Sequence, residues 1–460
     1  MRIAAPPFAE SSEVWLSRKR TDGRKRKSGK ASLGKKPETS VAYNLLLTAT
    51  LILLAFGAVM VFSASSTTRI LSDGGLSDSA FYLKKTIIVA AIGLVLMHLV
   101  ARGKLSFFHE KTPLFLGVTL FSLVAVLLAG TAVNGTKGWF VAGPIQIQPA
   151  EFLKLALVLY GAYFFANRPD RLHSVKEMKP YLLFTAVACG LVLLQPDMGT
   201  MMIALFAVGL TLFVSGARPR DLGLLFGVVA SLGLVMALAA PYRRDRLLNF
   251  LNPEADVTGG GFQVIQAKIA IGSGGFDGVG IGNGVQKAFY LPEAHTDMIS
   301  AVIGEEFGLI GFTMLILVFG IFGYAGFQIA RKAKDDYGRI LASGLTGLVL
   351  IQASLNLYAV MGMAPLTGIP LPLVSYGNNS LIVTLVAVGL ILNVAKGGQV
   401  ASLRKAGPSR RRGGVAKLRL VESKRNTNTK RRTAASGQSR HSGGRNGRSR
   451  GTGNSRSRRA

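Results

Sequence analysis

The sequence predicts an all-α polytopic membrane protein, with about ten transmembrane helices and a large extracytoplasmic loop between spans seven and eight. Of its 460 residues, 49% are hydrophobic, and the mean hydropathy is +0.38 although both ends are very polar. Several apolar runs approach the roughly 20 residues that cross a bilayer core. Residues 241–297 form the one long polar stretch between such runs. These observations together predict the fold class.

The formal charge of +31 is concentrated at the two ends of the chain. Residues 1–40 hold eleven Lys and Arg against four Asp and Glu, and residues 397–460 hold nineteen against one. Both ends are rich in Arg, Ser, Gly and Thr, a composition that does not bury a core. We therefore expect a disordered basic tail at 1–40, a membrane domain at 41–396 and a second disordered basic tail at 397–460.

The ten spans follow the apolar runs in order. The first is the run from Ala42 to Ala64, Pro149 suits the first helical position of the fourth, and the eighth is long enough to tilt or protrude. The predicted spans are residues 42–64, 82–101, 113–131, 149–166, 180–194, 200–215, 222–240, 298–329, 338–361 and 380–395. An even number of spans places both termini on one side of the membrane.

Loop charge predicts which side that is. The loops after spans two, four, six and eight are basic, whereas the loops after spans one and three hold only Arg69 and Lys137. The positive-inside rule then places both tails in the cytoplasm, where they face anionic lipid. Nucleic-acid binding is not expected of tails beside membrane spans. The single cysteine, Cys189, excludes an intrachain disulfide and is interpreted as core filler.

The loop at 241–297 is the exception to this charge pattern, because it lies on the outer side and is basic. Its Lys and Arg residues indicate an anionic substrate, and its glycine clusters allow close backbone approach to a ligand. Between two glycine clusters, Gln263–Ala270 is predicted to form a short amphipathic helix on the membrane surface. The glycine spacing matches no nucleotide-binding motif.

Asp297 ends this loop at the mouth of span eight, and Glu305 and Glu306 follow inside the span. Charged groups at membrane depth usually face a cavity, a partner or a substrate. Two interpretations stay open from the residues alone. Asp297 is either a functional acid or an N-cap of span eight, in which case the glutamates are paired neighbours.

Three further polar clusters lie on the same predicted side. Glu151 and Lys154 are i, i+3 neighbours on one helix face, and form either a structural ion pair or a substrate contact. Asp197 follows a tight turn, and we favour a cap on span six. The third cluster is the apolar, proline-rich segment at 365–377, whose backbone is tolerated near a membrane only against protein or a cavity.

Four of these stretches together resemble the SEDS family, the membrane peptidoglycan glycosyltransferases that include FtsW and RodA. The resemblance covers residues 41–396. It is carried by Gln-Pro-Ala-Glu at 148–151, Gln-Pro-Asp-Met-Gly-Thr at 195–200, Leu-Pro-Glu-Ala-His-Thr-Asp at 291–297 and Gly-Ile-Pro-Leu-Pro with Ser-Tyr-Gly at 368–377. Gln286-Lys287 before residues 290–297 is more similar to FtsW, the division member, and RodA is the second choice.

The sequence departs from the family pattern at a few positions. Asn378-Asn379 stands where the family has Gly-Gly, and we expect the turn to survive because Asn tolerates positive φ. Phe262 replaces a tyrosine, and Met298 replaces an aromatic residue after the acid. None of these changes removes a proposed catalytic group.

The resemblance implies a lipid II polymerase that acts on the outer face with inversion and makes a β-1,4 linkage. Asp297 matches the family's essential acid and would serve as general base. Positive charge at the leaving pyrophosphate is expected from Lys154, Arg246 or Lys287, with a divalent cation (Mg²⁺ or Mn²⁺) as an alternative source. No metal ligand is assigned, because a second acid at a supporting spacing is missing. The implied substrate-binding residues are Glu151, Lys154, Arg246, Gln263, Lys287, His295 and Ser375.

The implied partners are lipid II, the undecaprenyl-pyrophosphate-linked glycan, a class B penicillin-binding protein transpeptidase and other division proteins. Small residues of span eight, such as Gly320, Gly323 and Gly326, would let a partner helix approach closely. The implied location is the bacterial cell membrane at the division septum. Two other classes stay open: a lipid II flippase or other transporter, and a non-catalytic division scaffold, which should tolerate the loss of Asp297.

Overall fold

The computed structural model describes residues 39–72, 78–133, 136–143, 145–167, 175–239, 241–257, 259, 261–288 and 290–400. They all belong to the first of two contact units, residues 1–401. The predicted tails at 1–40 and 397–460 lie outside the described residues, except for residues 39–40 and 397–400. Their predicted disorder therefore stays a prediction.

Helices account for most of this part of the chain. In order, they are α1 (Thr39–Ser72), α2 (Phe81–Arg102), α3 (Leu105–Ala129), α4 (Pro149–Asn167), α5 (Val175–Leu194), α6 (Met198–Ser215), α7 (Pro219–Ala239), α8 (Pro241–Leu251), α9 (Phe262–Gly274), α10 (Ile299–Arg331), α11 (Asp336–Val360) and α12 (Asn378–Ala395). A short 3₁₀ helix, Pro253–Asp256, follows α8.

The ten predicted spans correspond to α1–α7 and α10–α12. Among the described residues, nine helices are long and apolar enough to cross a membrane. The seventh predicted span is α7, part of whose side chains lie outside the described residues. Apolar run length therefore located nine of the ten predicted spans, because crossing a bilayer requires a local, contiguous stretch of apolar residues.

The predicted start of span three at Pro113 is wrong. Helix α3 begins at Leu105 and contains Pro113 in its interior. The buried face of the helix continues through the proline, with His109 and Thr112 on one side of it and Leu116 on the other. His109 packs against the Tyr163 and Tyr337 rings of two other helices, so tertiary packing outweighs the local cost of the proline.

Three helices form the centre of the bundle. In the apolar stretches that would cross the membrane, 78%, 72% and 78% of the residues of α4, α11 and α12 are buried. The corresponding shares for α2 and α3 are 22% and 28%. The exposed large apolar side chains of α2 and α3, such as Ile88 and Phe121, are those expected of lipid-facing helices. The central helices carry the polar groups described below.

A small three-stranded antiparallel sheet joins α3 to α4, and the sequence did not predict it. Its strands are β1 (Thr131–Val133), β2 (Thr136–Ala142) and β3 (Ile145–Ile147), in the order β1-β2-β3. Strands of three to seven residues leave too few alternations for a periodicity signal, and stability comes from pairing with neighbours. The sheet leads directly into the Gln148-Pro149 start of α4.

The loop at 241–297 is largely ordered. The predicted helix at 263–270 is confirmed as α9, which is longer, Phe262–Gly274. Its buried residues, Val264, Ala267, Ala270 and Gly274, recur every three or four positions and pack against α10. The glycine clusters therefore lie on either side of a helix that is packed against α10.

Helix α10 is broken at Gly308, which has φ 62° and ψ −157°. The glycine-rich segment at 275–280 packs into the break. Its amides at Val279 and Gly280 donate to the carbonyls of Glu305 and Glu306, at 3.0 and 3.1 Å. In return, the amides of Leu309 and Ile310 donate to Gly275 and Phe276, at 3.0 and 3.2 Å. The loop therefore supplies the hydrogen bonds that the broken helix loses.

The glycines of α10 that we assigned to partner docking are mostly used inside the chain. A Cβ at Gly323 would meet Leu350 Cδ1 at 2.7 Å, and one at Gly326 would meet the Thr346 side chain, both on α11. Only Gly320 of the three opens to free space. The prediction that Gly323 and Gly326 receive a partner helix is therefore wrong, because α11 already occupies their face.

Candidate active site

Asp297 lies in a turn immediately before α10 and is half-buried. The N-cap of α10 is Met298, whose own side chain makes no capping hydrogen bond, and Asp297 precedes it. The alternative in which Asp297 serves as the N-cap is therefore wrong. Its carboxylate Oδ1 instead accepts a hydrogen bond from the Thr296 hydroxyl at 3.3 Å.

The turn that carries Asp297 is held by its own backbone. The amides of Thr296 and Met298 donate to the Glu293 carbonyl at 3.0 and 3.3 Å, and Glu293 has φ 54°. The Thr296 hydroxyl lies 2.8 Å from the Glu293 carboxylate. A residue other than glycine at positive φ is uncommon and marks a conformation that the surroundings impose.

A buried asparagine of α11 fixes the main chain of Asp297. Asn356 is 2% exposed, and its Nδ2 donates to the Asp297 carbonyl at 2.7 Å and to the Ile369 carbonyl at 2.8 Å. Its Oδ1 accepts from the Ser300 hydroxyl at 2.9 Å. One side chain thus joins the Asp297 turn, the start of α10 and the segment after α11.

Glu151 and Lys154 form the predicted i, i+3 pair, with Lys154 Nζ 2.8 Å from Glu151 Oε2. Both residues are buried, at 5% and 2% exposure. Lys154 also donates to Gln352 Oε1 at 2.9 Å, and Gln352 Nε2 donates to the Pro370 carbonyl and the Ser380 hydroxyl, each at 3.0 Å. The pair is therefore tied to α11 and to the segment that Asn356 holds.

Asp197 caps α6, as favoured from sequence, since its Oδ1 accepts from the Thr200 amide at 2.9 Å. Its other oxygen accepts from Gln148 Nε2 at 3.2 Å, just before the Glu151 helix. Burial raises the pKa of the Asp197 carboxyl above its ordinary value of 3.8, and the Thr200 hydrogen bonds and the charge of Lys154 oppose that rise. Asp197 thus belongs electrostatically to the Glu151–Lys154 cluster.

His295 meets two tyrosines beside the Asp297 turn. Its ring lies 4.4 Å from Tyr82 and 5.6 Å from Tyr376, centroid to centroid, and the tyrosines lie 5.0 Å apart. The Tyr376 amide donates to the His295 carbonyl at 3.0 Å. Lys85 Nζ lies 5.9 Å from the centre of the Tyr376 ring. This cluster joins α2 to the turn that carries Asp297.

Ser375 is buried and accepts a hydrogen bond from the Leu371 amide at 2.8 Å. It therefore closes the turn at 371–375, where Leu373 has φ 65°. This segment packs on α1, because a Cβ at Gly57 would lie 2.6 Å from Val374 Cα. The predicted substrate contact of Ser375 stays a prediction, and its described contact supports the loop.

The expected positive φ at Asn378-Asn379 is wrong. Asn378 begins α12, so both residues have helical backbones, and the turn is completed before them at Gly377. The buried Asn379 side chain donates to the Gln146 carbonyl at 3.0 Å. The Asn379 side chain therefore makes a contact across the bundle at a position where the family pattern has glycine.

Lys287 lies in a different cluster, in the interior of the bundle. It is 2% exposed and forms a buried ion pair with Glu306, and it donates to the Ser63 hydroxyl of α1 at 2.9 Å. Glu305 accepts from the amides of Val285 and Gln286 at 2.7 and 3.2 Å. The interpretation of the glutamates as paired groups thus holds for Glu306, whereas Glu305 binds backbone amides of the loop. The ion pair places Lys287 away from an open surface.

The remaining predicted site residues are Gln263 and Arg246. Gln263 is half-buried at the start of α9, and its Nε2 lies 3.5 Å from the Pro292 carbonyl, in the segment that leads to Asp297. The Arg246 side chain lies outside the described residues. Across the residues that the structure describes, no three His, Cys, Asp or Glu side chains are placed to hold a metal ion, and the divalent cation stays a prediction.

The structure thus gathers six of the predicted site residues at one end of the bundle, linked to one another through intervening side chains and backbone: Asp297, His295, Gln263, Glu151, Lys154 and Ser375. The residues that sequence reasoning missed are Gln352, Asn356, Ser300 and Tyr82. The first two carried a signal, because polar residues inside a membrane span mark functional sites by default. Their spacing of four residues places them on one helix face.

The chain is similar to proteins of bacterial cell-wall synthesis along most of its length. The family model described as "Cell cycle protein", which covers FtsW, RodA and SpoVE, matches residues 43–399. "Stage V sporulation protein E" of Bacillus subtilis is 38% identical, over 76% of this chain and 96% of the relative. "Probable peptidoglycan glycosyltransferase FtsW" of Trichlorobacter lovleyi is 39% identical, over 80% and 97%.

Solved structures show the same similarity. A chain from the study "Structural coordination of polymerization and crosslinking by a peptidoglycan synthase complex" is 33% identical with a TM-score of 0.63, over 76% of this chain and 96% of that chain. The rod shape determining protein RodA of Thermus thermophilus is 30% identical with a TM-score of 0.57, over 76% and 95%. The described helices, the matched residues and these relatives lead to one conclusion: the chain belongs to the FtsW, RodA and SpoVE family of cell cycle proteins.

Proposed function

We propose that this protein is a peptidoglycan glycosyltransferase that polymerises lipid II, with Asp297 as its general base. The observation that carries the proposal is the placement of Asp297: half-buried, in the turn just before the N-cap of α10, and fixed through its main chain by Asn356. Relatives at 38–40% identity are named as probable peptidoglycan glycosyltransferases, which supports the same activity.

The proposed reaction transfers a growing glycan to a new lipid II. The 4-hydroxyl oxygen of the acceptor N-acetylglucosamine attacks the anomeric carbon of the glycan, and the bond from that carbon to undecaprenyl pyrophosphate breaks. The hydroxyl proton passes to the Asp297 carboxylate, and the electron pair of the broken bond leaves on the pyrophosphate. Attack opposite the leaving group inverts the anomeric carbon. A positioned base typically contributes about 10²- to 10⁴-fold to such a step.

The source of positive charge at the pyrophosphate is a separate part of the proposal. Lys154 and Lys287 are both buried and paired with a carboxylate, which partly neutralises them. Arg246 lies in α8, and the cluster of Tyr82, His295 and Tyr376 brings Lys85 to the same end as Asp297. Lys85 is therefore a further candidate for holding the pyrophosphate by its charge.

The partner and the location are proposed on the same basis. The solved chain of similar fold comes from a peptidoglycan synthase complex that coordinates polymerization and crosslinking, which supports a class B penicillin-binding protein as partner. The transpeptidase would crosslink the strand that this protein extends. The similarity to proteins named FtsW and SpoVE favours division or sporulation over elongation, and the septal cell membrane as the location.

The testing experiment measures polymer formed from fluorescent lipid II by the purified protein, with and without its transpeptidase. Asp297→Asn keeps the size of the side chain and removes the proton acceptor, so we expect activity to fall by about 10²-fold or more, with the melting temperature unchanged. Asp277→Asn is the matched control, because Asp277 is exposed in the same loop, and its activity should stay within about twofold of wild type.

The same assay separates the alternative functions. A scaffold would form no polymer and would tolerate Asp297→Asn in cells. A flippase would move lipid II across vesicles without forming polymer. An Asp297→Asn protein that polymerises at the wild-type rate would refute the role of this residue as the base.

A further inference from the structure

Helix α11 presents two carboxamides one turn apart, Gln352 and Asn356, on its buried face towards the candidate active site. They are 3% and 2% exposed. Polar side chains buried at this depth cost free energy unless every hydrogen-bonding group is satisfied. Each of these side chains finds partners on segments far away in the sequence, so their positions link parts of the site.

Asn356 uses both of its amide hydrogens and its oxygen. Nδ2 donates to the Asp297 and Ile369 carbonyls, and Oδ1 accepts from the Ser300 hydroxyl. The orientation of the amide is determined by its neighbours, because two carbonyls require the nitrogen and a hydroxyl can donate to the oxygen. The Asp297 main chain is therefore held by a donor that a hydrophobic residue of similar shape cannot replace.

Gln352 holds the segment that follows α11 at a second point. Its Nε2 donates to the Pro370 carbonyl, next in sequence to the Ile369 carbonyl that Asn356 holds, and to the Ser380 hydroxyl at the start of α12. The Ile369-Pro370 backbone is thus held by two side chains of one rigid helix. The Asn356 amide binds both the Asp297 carbonyl and this backbone, so the position of the Asp297 main chain is fixed relative to α11.

We propose that Asn356 is a positioning residue that sets the place of the Asp297 carboxylate through the Asp297 main chain. The inference rests on the proposed function of Asp297 and adds the residue through which the fold aims it. A displacement of about 1 Å in a reacting group can cost about 10²-fold in rate. Loss of the Asn356 donors should therefore appear in the chemical step.

The test replaces Asn356 by Leu, which has a similar volume and no donor. Asn393→Leu is the matched control, because Asn393 is also buried at 3% exposure and its Nδ2 also donates to two carbonyls, Val100 and Gly103, at 2.8 and 2.7 Å. It lies near the opposite end of α12 from the candidate site. Both variants take the asparagine donor away from two carbonyls, so both should lower the melting temperature.

The two variants should differ in kinetics. We expect Asn356→Leu to lower kcat for lipid II polymerisation by about 10- to 100-fold, with KM changed less than about threefold, and Asn393→Leu to keep kcat within about threefold of wild type. In the Asp297→Asn background, Asn356→Leu should cost less than about twofold, because a residue that acts through Asp297 has nothing left to position. The proposal would be overturned if both Leu variants lost kcat equally. It would also be overturned if the loss in the variant carrying both Asp297→Asn and Asn356→Leu were the product of the two single losses.

Amide hydrogen exchange gives a readout that does not depend on activity. Exchange of residues 290–298 should rise in Asn356→Leu and stay unchanged in Asn393→Leu. Unchanged exchange there in both would overturn the inference, whereas absence of polymer from the wild-type protein would count only against the proposed function. If Asn356→Leu does not fold, Asn356→Asp serves in its place, because it keeps the acceptor for Ser300 and removes the same donors.

Discussion

Acidic residues at the start of α10 have opposite environments although they lie within ten positions of each other. Asp297 is half-buried at the end of the bundle, and its main chain is held by a neutral amide. Glu306 is 1% exposed and paired with Lys287. Breaking such a buried pair usually costs about 3–5 kcal/mol, because a charge is left without its partner. The environments at the residue scale therefore distinguish Asp297, the proposed base, from Glu306, which is a member of a buried ion pair.

Asp197 gives a prediction about pH. Its pKa is raised by burial above 3.8, so the folded protein binds more protons than the unfolded chain from pH 3.8 up to the folded pKa. The free energy of unfolding contributed by this group therefore falls as the pH rises through that window and is constant above it. Asp197→Asn keeps a capping oxygen and removes the titrating group. We expect its melting temperature to depend less on pH across this window than that of wild type.

Thermal unfolding in detergent at a series of pH values checks this expectation. Asp277→Asn is the control, since the same substitution at an exposed position should leave the pH dependence of wild type in place. Equal slopes for wild type and Asp197→Asn would show that burial does not perturb this carboxyl.

At the scale of the element, the break in α10 explains why the loop before it is rich in glycine. Gly278 and Gly308 have φ of 83° and 62°, and each lies where a Cβ would enter the backbone of the other segment. The sequence indicated close approach to a ligand, and the described close approach is to α10. An inserted loop lets a membrane helix be interrupted without leaving backbone groups unpaired.

Gly308→Ala tests this element. The added Cβ would lie 2.5 Å from the Gly278 nitrogen and 2.6 Å from the Phe276 carbonyl oxygen, and the backbone is in a region that L residues rarely adopt. Strain of this kind costs about 1–3 kcal/mol before any clash, so we expect the free energy of unfolding to fall by about 2 kcal/mol or more.

Gly320→Ala is the matched control for Gly308→Ala. It lies in the same helix, with no atom within 4 Å of an added Cβ. It should change the free energy of unfolding by less than about 1 kcal/mol. Equal stability of the two variants in thermal or denaturant unfolding would contradict the packed break.

At the scale of the whole molecule, the polar groups of the site are carried by the central helices and the ends of the helices around them. Glu151 and Lys154 lie on α4, Gln352 and Asn356 on α11, and Ser380 on α12. Of the nine described helices that are long and apolar enough to cross a membrane, these three are the most buried. Lipid-exposed helices surround them. A central location keeps costly polar groups away from lipid and holds them on rigid elements.

The orientation of the bundle is a prediction from loop charge. Residues 241–297 should lie outside the cell and both tails inside. In a chain whose Cys189 is replaced, Ser273→Cys should react with an impermeant thiol reagent in intact cells, because Ser273 is exposed on α9. Lys104→Cys, exposed in the loop after α2, should react only after permeabilisation. The reverse pattern would invert the topology.

The sequence by itself determined the class of the protein, its spans and its family. Runs of apolar residues are a local property of the sequence, and bilayer thickness sets the length of helix that such a run must form. Nine of the predicted spans therefore recur, most of them with small shifts in their ends. The motifs at 148–151 and 291–297 identified Asp297 and the Glu151–Lys154 pair in the same local way. The local signal failed at Pro113, which lies inside α3 because packing against other helices extends that helix to Leu105.

Only the tertiary structure decided what these residues contact. Asp297 is held by Asn356, 59 positions away. Lys287, which is paired with Glu306, also donates to Ser63 of α1, 224 positions away. The break at Gly308 and the helical start at Asn378 likewise depend on segments brought together from elsewhere in the chain. Hydrogen bonds and close packing act over a few ångströms in space, whatever the separation in sequence. A pattern of neighbours along the chain therefore does not contain them.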